Sequence, residues 1–217
     1  MRKSTGNMYS FVTHTWNVCK GKCPHNCSYC FMKRFPQGEL RFDENELKTN
    51  LGNGNFIFVG SSCDMFAELI PEKWILKILE YCSKFDNKYL FQSKNPERIL
   101  DLFEYLPSNS VIGTTIETNR WYPLMGDSPH PTDRAVWMYS MPTDKLMCTI
   151  EPIMDFDLDK LVDLIEISSP EWVNIGADSK GHNLPEPSKE KILQLIEALS
   201  KITEIKKKSN LDRILNT

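Results

Sequence analysis

No apolar run in the 217-residue chain approaches the roughly 18–20 residues that cross a bilayer. The polar start MRKSTGNMYS also lacks the hydrophobic middle of a secretory signal, so no membrane partner and a cytoplasmic location are expected. Internal repeats and low-complexity stretches are missing as well. A net charge of −3 gives no global basic field, so a nucleic-acid partner would need a local patch such as Lys20, Lys22, Lys33 and Arg34. What remains, 41% hydrophobic and 25% charged residues, is the composition of an ordinary globular protein long enough for one substantial core. The seven cysteines are an odd number, and in a reducing compartment clustered thiols point to a metal rather than to disulfides.

Apolar and β-branched runs bounded by turn residues recur at 9–16, 56–60, 88–92, 111–116, 146–150 and 172–176, and each reads as a buried strand. Helical patterns lie between them. From Pro71, Trp74, Ile75, Ile78, Leu79, Cys82 and Phe85 recur on one face. Segments 96–106, 157–167 and 188–202 behave alike, the last with Ser188 as N-cap, and a short helix is expected at Asp43 with Glu46 completing a capping box. Six strands alternating with helices predict an α/β fold with parallel strands. A partial (β/α)6 TIM-like barrel is favoured over an open doubly wound sheet because polar residues recur at strand ends. His14, Asn17, Ser61 to Asp64, Ser93, Lys94, Glu117, Asn119, Glu151 and Asp178 would share one rim, where barrel active sites sit. One domain is expected over 1–205, followed by a charged C-terminal tail, 206–217, whose Lys206 to Lys208 run reads as a solvated face. The irregular, proline-rich segment 117–134 reads as a long rim loop.

Three cysteines fall within the eight residues CPHNCSYC, as C-x3-C-x2-C at Cys23, Cys27 and Cys30. A single loop of this spacing offers three thiolates to three irons of a [4Fe–4S] cluster and leaves the fourth iron open to a small molecule. The stretch resembles the motif of the radical SAM superfamily, with the aromatic Tyr29 before the last cysteine. It also sits where that superfamily has it, after the first strand. More narrowly, THTWN, SKNPERI, IGTTIE and TIEP resemble segments of small, phage-associated radical SAM-like proteins.

The resemblance implies an enzyme with a [4Fe–4S] cluster and S-adenosylmethionine as cofactors. An electron from a donor such as flavodoxin or ferredoxin would cleave the sulfonium to methionine and a 5′-deoxyadenosyl radical, which abstracts hydrogen from a substrate, with nucleic acid or a nucleotide among the candidates. The superfamily's Gly-Gly-Glu-like stretch after strand two is replaced here by GSSCDMF, which makes Gly60, Ser61 and Ser62 the cofactor-binding candidates, with Asp64 a further carboxylate for the ammonium. By the same likeness Ser93 and Lys94 would reach the methionine carboxylate, and Thr115, Glu117 and Glu151 the ribose and sulfonium region.

Alternatives stand beside this reading. Cys19 with Cys23, Cys27 and Cys30 would make a closed, structural zinc site, although all four lie within twelve residues and the chain needs no metal to build its core. A structural or redox-sensing iron–sulfur protein acting through a protein partner is the non-enzymatic alternative. His25, inside the motif, could ligate metal, but a solvent-facing loop residue is the preferred reading. Cys63 is a catalytic candidate as a hydrogen-atom donor, against the blander reading of a packed core thiol, the one expected for Cys82 and Cys148. Trp121 and Tyr122 could stack on a base with Arg120 and Arg134 on phosphate, but hydrophobic anchoring of the loop is the preferred reading.

Overall fold

The computed structural model describes residues 1–179 and 181–216. Its strands are β1 (Arg2–Lys3), β2 (His14–Trp16), β3 (Cys19–Lys20), β4 (Arg41–Phe42), β5 (Phe56–Val59), β6 (Lys88–Gln92), β7 (Ser110–Thr115), β8 (Leu146–Ile150), β9 (Trp172–Ile175) and β10 (Glu204–Lys207). Its α-helices are α1 (Glu72–Cys82), α2 (Pro96–Asp101), α3 (Pro131–Tyr139), α4 (Leu158–Ser168), α5 (Lys189–Leu199) and α6 (Asp212–Leu215). Eight strands form one sheet in the order β1-β2-β5-β6-β7-β8-β9-β10, and β3 pairs with β4 separately. Every neighbouring pair from β2 to β10 is parallel, with β1 antiparallel at one edge. Each of α1 to α5 connects two consecutive parallel strands, as expected of a partial barrel.

The apolar pattern explains these elements. In α1 the buried residues are Ile75, Ile78, Leu79 and Cys82, the i, i+3, i+4, i+7 stripe that packs onto the sheet. Strands β7 and β8 are buried at every position because helices cover one face and the barrel interior the other. Ser188 caps α5, its hydroxyl accepting from Lys191 N at 3.4 Å. Inside the barrel, Leu90, Val111, Met147 and Trp172 pack with Tyr9 and Val12 of the N-terminal segment. Among the described residues no helix is long and apolar enough to cross a membrane.

Several expectations are corrected. The run 9–16 is a strand only from His14, because Tyr9 and Val12 turn inward to fill the barrel. His14 therefore lies at the start of β2, away from the rim. Helix 96–106 stops at Asp101 and continues as a 3-10 turn at Phe103–Tyr105. At Asp43 the helix is 3-10, and Glu46 binds Lys20 Nζ (2.7 Å) instead of closing a capping box. The segment 117–134 is partly helical, since α3 begins at Pro131 with His130 as its N-cap. The tail from 206 is no solvated appendage. Lys206 and Lys207 pair with Asn174 and Ile175 in a seventh parallel strand, and Leu211 and Ile214 are buried behind it.

Candidate functional site

The cysteine loop leaves β3 through Gly21, whose φ of +100° and approach to Glu39 O leave no room for a side chain: a Cβ would lie 2.1 Å from that oxygen. Tight turns follow, with Asn26 N donating to Cys23 O (3.1 Å) and Cys30 N to Cys27 O (3.2 Å). Cys23, Cys27 and Cys30 thereby line one cavity of about 470 Å³, bounded by the C-terminal ends of the parallel strands. Cys19 does not line it. That thiol is 1% exposed in the core, and burial first, then the Asp64 charge, pushes its pKa up to about 12. Among the described residues, no three His, Cys, Asp or Glu side chains are grouped to hold a single metal ion.

The thiols are not equivalent. A hydrogen bond from Cys63 lowers Cys23 to about 6 against the effect of burial, with His25 helping, whereas burial raises Cys30. Cys63 itself is pushed up, first by Cys23 and then by burial. It lies on the cavity wall as well as in the core, so its two sequence readings are not exclusive.

His25 corrects the sequence expectation most directly: it is 4% exposed, with Nε2 2.8 Å from Asp64 Oδ2. Burial alone would lower the His25 pKa, but the Asp64 charge and hydrogen bond raise it overall. Burial would raise Asp64, and His25 with the Lys94 and Phe66 N–H groups lowers it overall. Asp64 also accepts from Ser93 Oγ and Lys94 N, each at 2.9 Å. Its oxygens are thus engaged by this chain rather than held out for a ligand's ammonium.

Gly60, Ser61 and Ser62 form the turn after β5, fixed by Asn17 beyond β2. Ser62 N donates to Asn17 Oδ1 (2.9 Å), and Asn17 Nδ2 to Ser61 Oγ (3.2 Å). Tyr29, Gly60, Ser61, Ser62, Ser93, Lys94, Thr115 and Glu151 all line the cavity. Glu117 does not: it is fully buried behind the wall, where it accepts from the Tyr29 hydroxyl, Lys94 Nζ and Arg134 Nη1 (2.8 Å). Its place is explained by those two cations, one of which, Arg134, is 0% exposed and closed to any phosphate. Burial lowers Lys94 to about 8, against the raising influence of Cys27.

Beside the expected Thr115, Glu151 and Asp178, the cavity is lined by Asn7, Tyr9, Gln92, His182 and Lys208, which carry no local sequence signal. Tyr9 OH donates to Gln92 Oε1 (2.9 Å), and Gln92 Nε2 to Thr115 Oγ1 (3.1 Å). Glu151 accepts from Lys208 Nζ (2.6 Å), Asn210 (2.8 Å) and Asn7 (2.9 Å), so the supposed tail and the N-terminal segment meet at one carboxylate. His182 pairs with Asp178 at 2.7 Å. In the 117–134 segment, Arg120 is held by Asp155 and Asp157, Tyr122 packs beside Cys27 and Met125, and Trp121 remains half exposed. Anchoring is thus borne out for Tyr122.

No family model matches the chain, and no curated protein matches it. Solved structures do. A cysteine mutant of spore photoproduct lyase superposes with a TM-score of 0.64 at 9% identity over 93% of this chain and 78% of that one. The same enzyme with bound AdoMet and a dinucleoside spore photoproduct gives 0.57 at 10% identity, covering 92% and 64%. Streptococcus suis SuiB bound to S-adenosylmethionine gives 0.56 at 9% identity, covering 91% and 51%, and SuiB has also been captured with its precursor peptide SuiA. The chain spans about half to three quarters of these proteins and shares their fold, a mixed α/β architecture with a mostly parallel central sheet.

Proposed function

We propose that this chain is a radical SAM enzyme, in which Cys23, Cys27 and Cys30 hold a [4Fe–4S] cluster and S-adenosylmethionine lies against it in the same cavity. The observation that carries the reading is the separation of the four cysteines within 19–30: Cys23, Cys27 and Cys30 line one cavity at the barrel rim, where Cys63 joins them on the wall, and Cys19 is buried away from it. A soft, three-thiolate donor set on one short loop suits an iron–sulfur cluster with one iron left open. The fold is shared with proteins captured holding S-adenosylmethionine, which supports the same assignment. When bound, the two cofactors supply one-electron cleavage of the sulfonium and hence the radical that abstracts hydrogen.

The chain's own residues bind, orient and exclude water. The Gly60–Ser62 turn is assigned to the methionine ammonium, Ser93 and Lys94 to its carboxylate, and Thr115 and Glu151 to the ribose side. Glu117 works one step back, holding Tyr29 and Lys94 in place. The electron comes from a separate donor of the flavodoxin or ferredoxin kind. Spore photoproduct lyase holds a dinucleoside and SuiB a peptide, so nucleotides and peptides are the two substrate classes to screen.

The test is anaerobic reconstitution with iron and sulfide, then dithionite and S-adenosylmethionine with chromatography for 5′-deoxyadenosine. About four irons per chain and product formation are expected. Both should be lost in Cys23→Ala and kept in Cys19→Ala. Equal loss in both variants, or tightly held zinc without product, would return the cysteines to a closed structural site.

A further inference from the structure

We propose that residues 122–128 are a clasp that holds the cysteine loop in its ligand-presenting shape, with Gly126 as the positioning residue; this rests on the cluster assignment above. The two loops, about a hundred residues apart in sequence, are joined backbone to backbone. Ser28 N donates to Leu124 O (2.8 Å) and Asp127 N to His25 O (2.8 Å). Ser28 Oγ adds a bond to Leu124 O (3.2 Å), and Cys27 Sγ lies 3.3 Å from Met125 O.

Gly126 makes this approach geometrically feasible. Its φ is +62°, and a Cβ built there would lie 2.2 Å from His25 O, 2.9 Å from Asn26 C and 3.0 Å from Asn26 O. All three are backbone atoms of the cysteine loop, so no side chain can swing aside. Adding one methyl must push the two loops apart, which breaks the Ser28 and Asp127 bonds together.

The clasp is itself fixed to the barrel. Met125 is fully buried, Ser128 Oγ donates to Met125 O (2.9 Å), and Arg134 donates to Ser128 Oγ (2.7 Å), Pro129 O (2.7 Å) and Thr115 O (2.8 Å). The loop is thus gripped on one side by the clasp at the end of β7 and on the other by the His25–Asp64 pair at the end of β5. Three thiolates on a short loop repel one another, and fixing the loop before the metal arrives removes ordering entropy from binding.

The experiment compares wild type, Gly126→Ala and Gly54→Ala. Gly54 has a similar φ of +71° but nothing within 4 Å of a built Cβ, so it carries the positive φ without the contact. Reconstituted proteins are challenged anaerobically with an iron chelator, and amide exchange is measured on the apo proteins. Gly126→Ala should lose iron at least about tenfold faster than the other two, the scale on which supporting groups affect metal sites, with helix content by circular dichroism unchanged. Ser28 and Asp127 amides should be protected in wild type and Gly54→Ala and unprotected in Gly126→Ala. Equal iron loss in all three proteins overturns the clasp. If wild type takes up no cluster, the radical SAM assignment fails, and the clasp stands or falls on wild-type protection at Ser28 and Asp127. The same readout decides if Gly126→Ala does not fold.

Discussion

Replacing Glu117 by Gln keeps the shape and one hydrogen-bonding oxygen but removes, among the described residues, the only carboxylate paired with Arg134. Arg134 and Glu117 are both 0% exposed at 2.8 Å, and Lys94, 16% exposed, shares the same carboxylate. Breaking a buried pair by removing one partner costs about 3–5 kcal/mol, because the remaining ion stays desolvated. The lower end applies here, since Arg134 keeps neutral acceptors in Pro129, Thr115 and Ser128. In a chain of this size each kcal/mol shifts Tm by roughly 2–4 °C, so at about 3 kcal/mol Glu117→Gln should melt roughly 6–12 °C below wild type as apo protein at pH 7. The control is Glu197→Gln, which breaks an exposed pair with Lys201 (3.7 Å, 77% exposed) and should move Tm by no more than about 2 °C. Thermal unfolding by circular dichroism, checked by urea titration, measures both. A Glu117→Gln shift no larger than that of Glu197→Gln would refute the assignment of Glu117 as a buried counter-charge.

Two further predictions concern stability. The folded-state pKa of His25 is raised above 6.5, so its contribution is full below pH 6.5 and is lost as pH rises through the raised value. That of Asp64 is depressed below 3.8, so its contribution is present above pH 3.8 and is lost as pH falls through the depressed value. Urea midpoints of the apo protein should therefore fall at both ends of a pH 3–9 series, and Asp64→Asn should flatten both limbs; unchanged limbs in that variant would contradict the pairing. Leu211→Ala removes a fully buried side chain and should cost about 2–5 kcal/mol, whereas a solvated tail would show no change in Tm.

The elements legible in the sequence were those whose signal is local and strong. The stripe of α1 and the continuous apolar runs of β5 to β9 needed nothing beyond their own periodicity. The run 9–16 misled because an apolar segment that plugs a barrel interior and one that joins a sheet look alike in sequence. Lys206 and Lys207 misled for the opposite reason: β10 is an edge strand with polar side chains, one of them, Lys206, lying over the Trp172 ring at 4.3 Å, so its pattern is that of a surface. His25 read as solvated because its partner Asp64 lies 39 residues away. Gly126 carried no sign at all of the cysteine loop it touches.

By itself the sequence determined that the chain alternates strands and helices and that one short loop concentrates three thiols. Periodicity and spacing are properties of neighbours along the chain. Only the tertiary structure decided which thiols share a cavity, that Glu117 stands behind the wall while Glu151 stands on it, and that both ends of the chain close the site. Those outcomes depend on which strand ends converge, and residues as distant as Asn7, Glu151 and Asn210 become neighbours only once the sheet has curled.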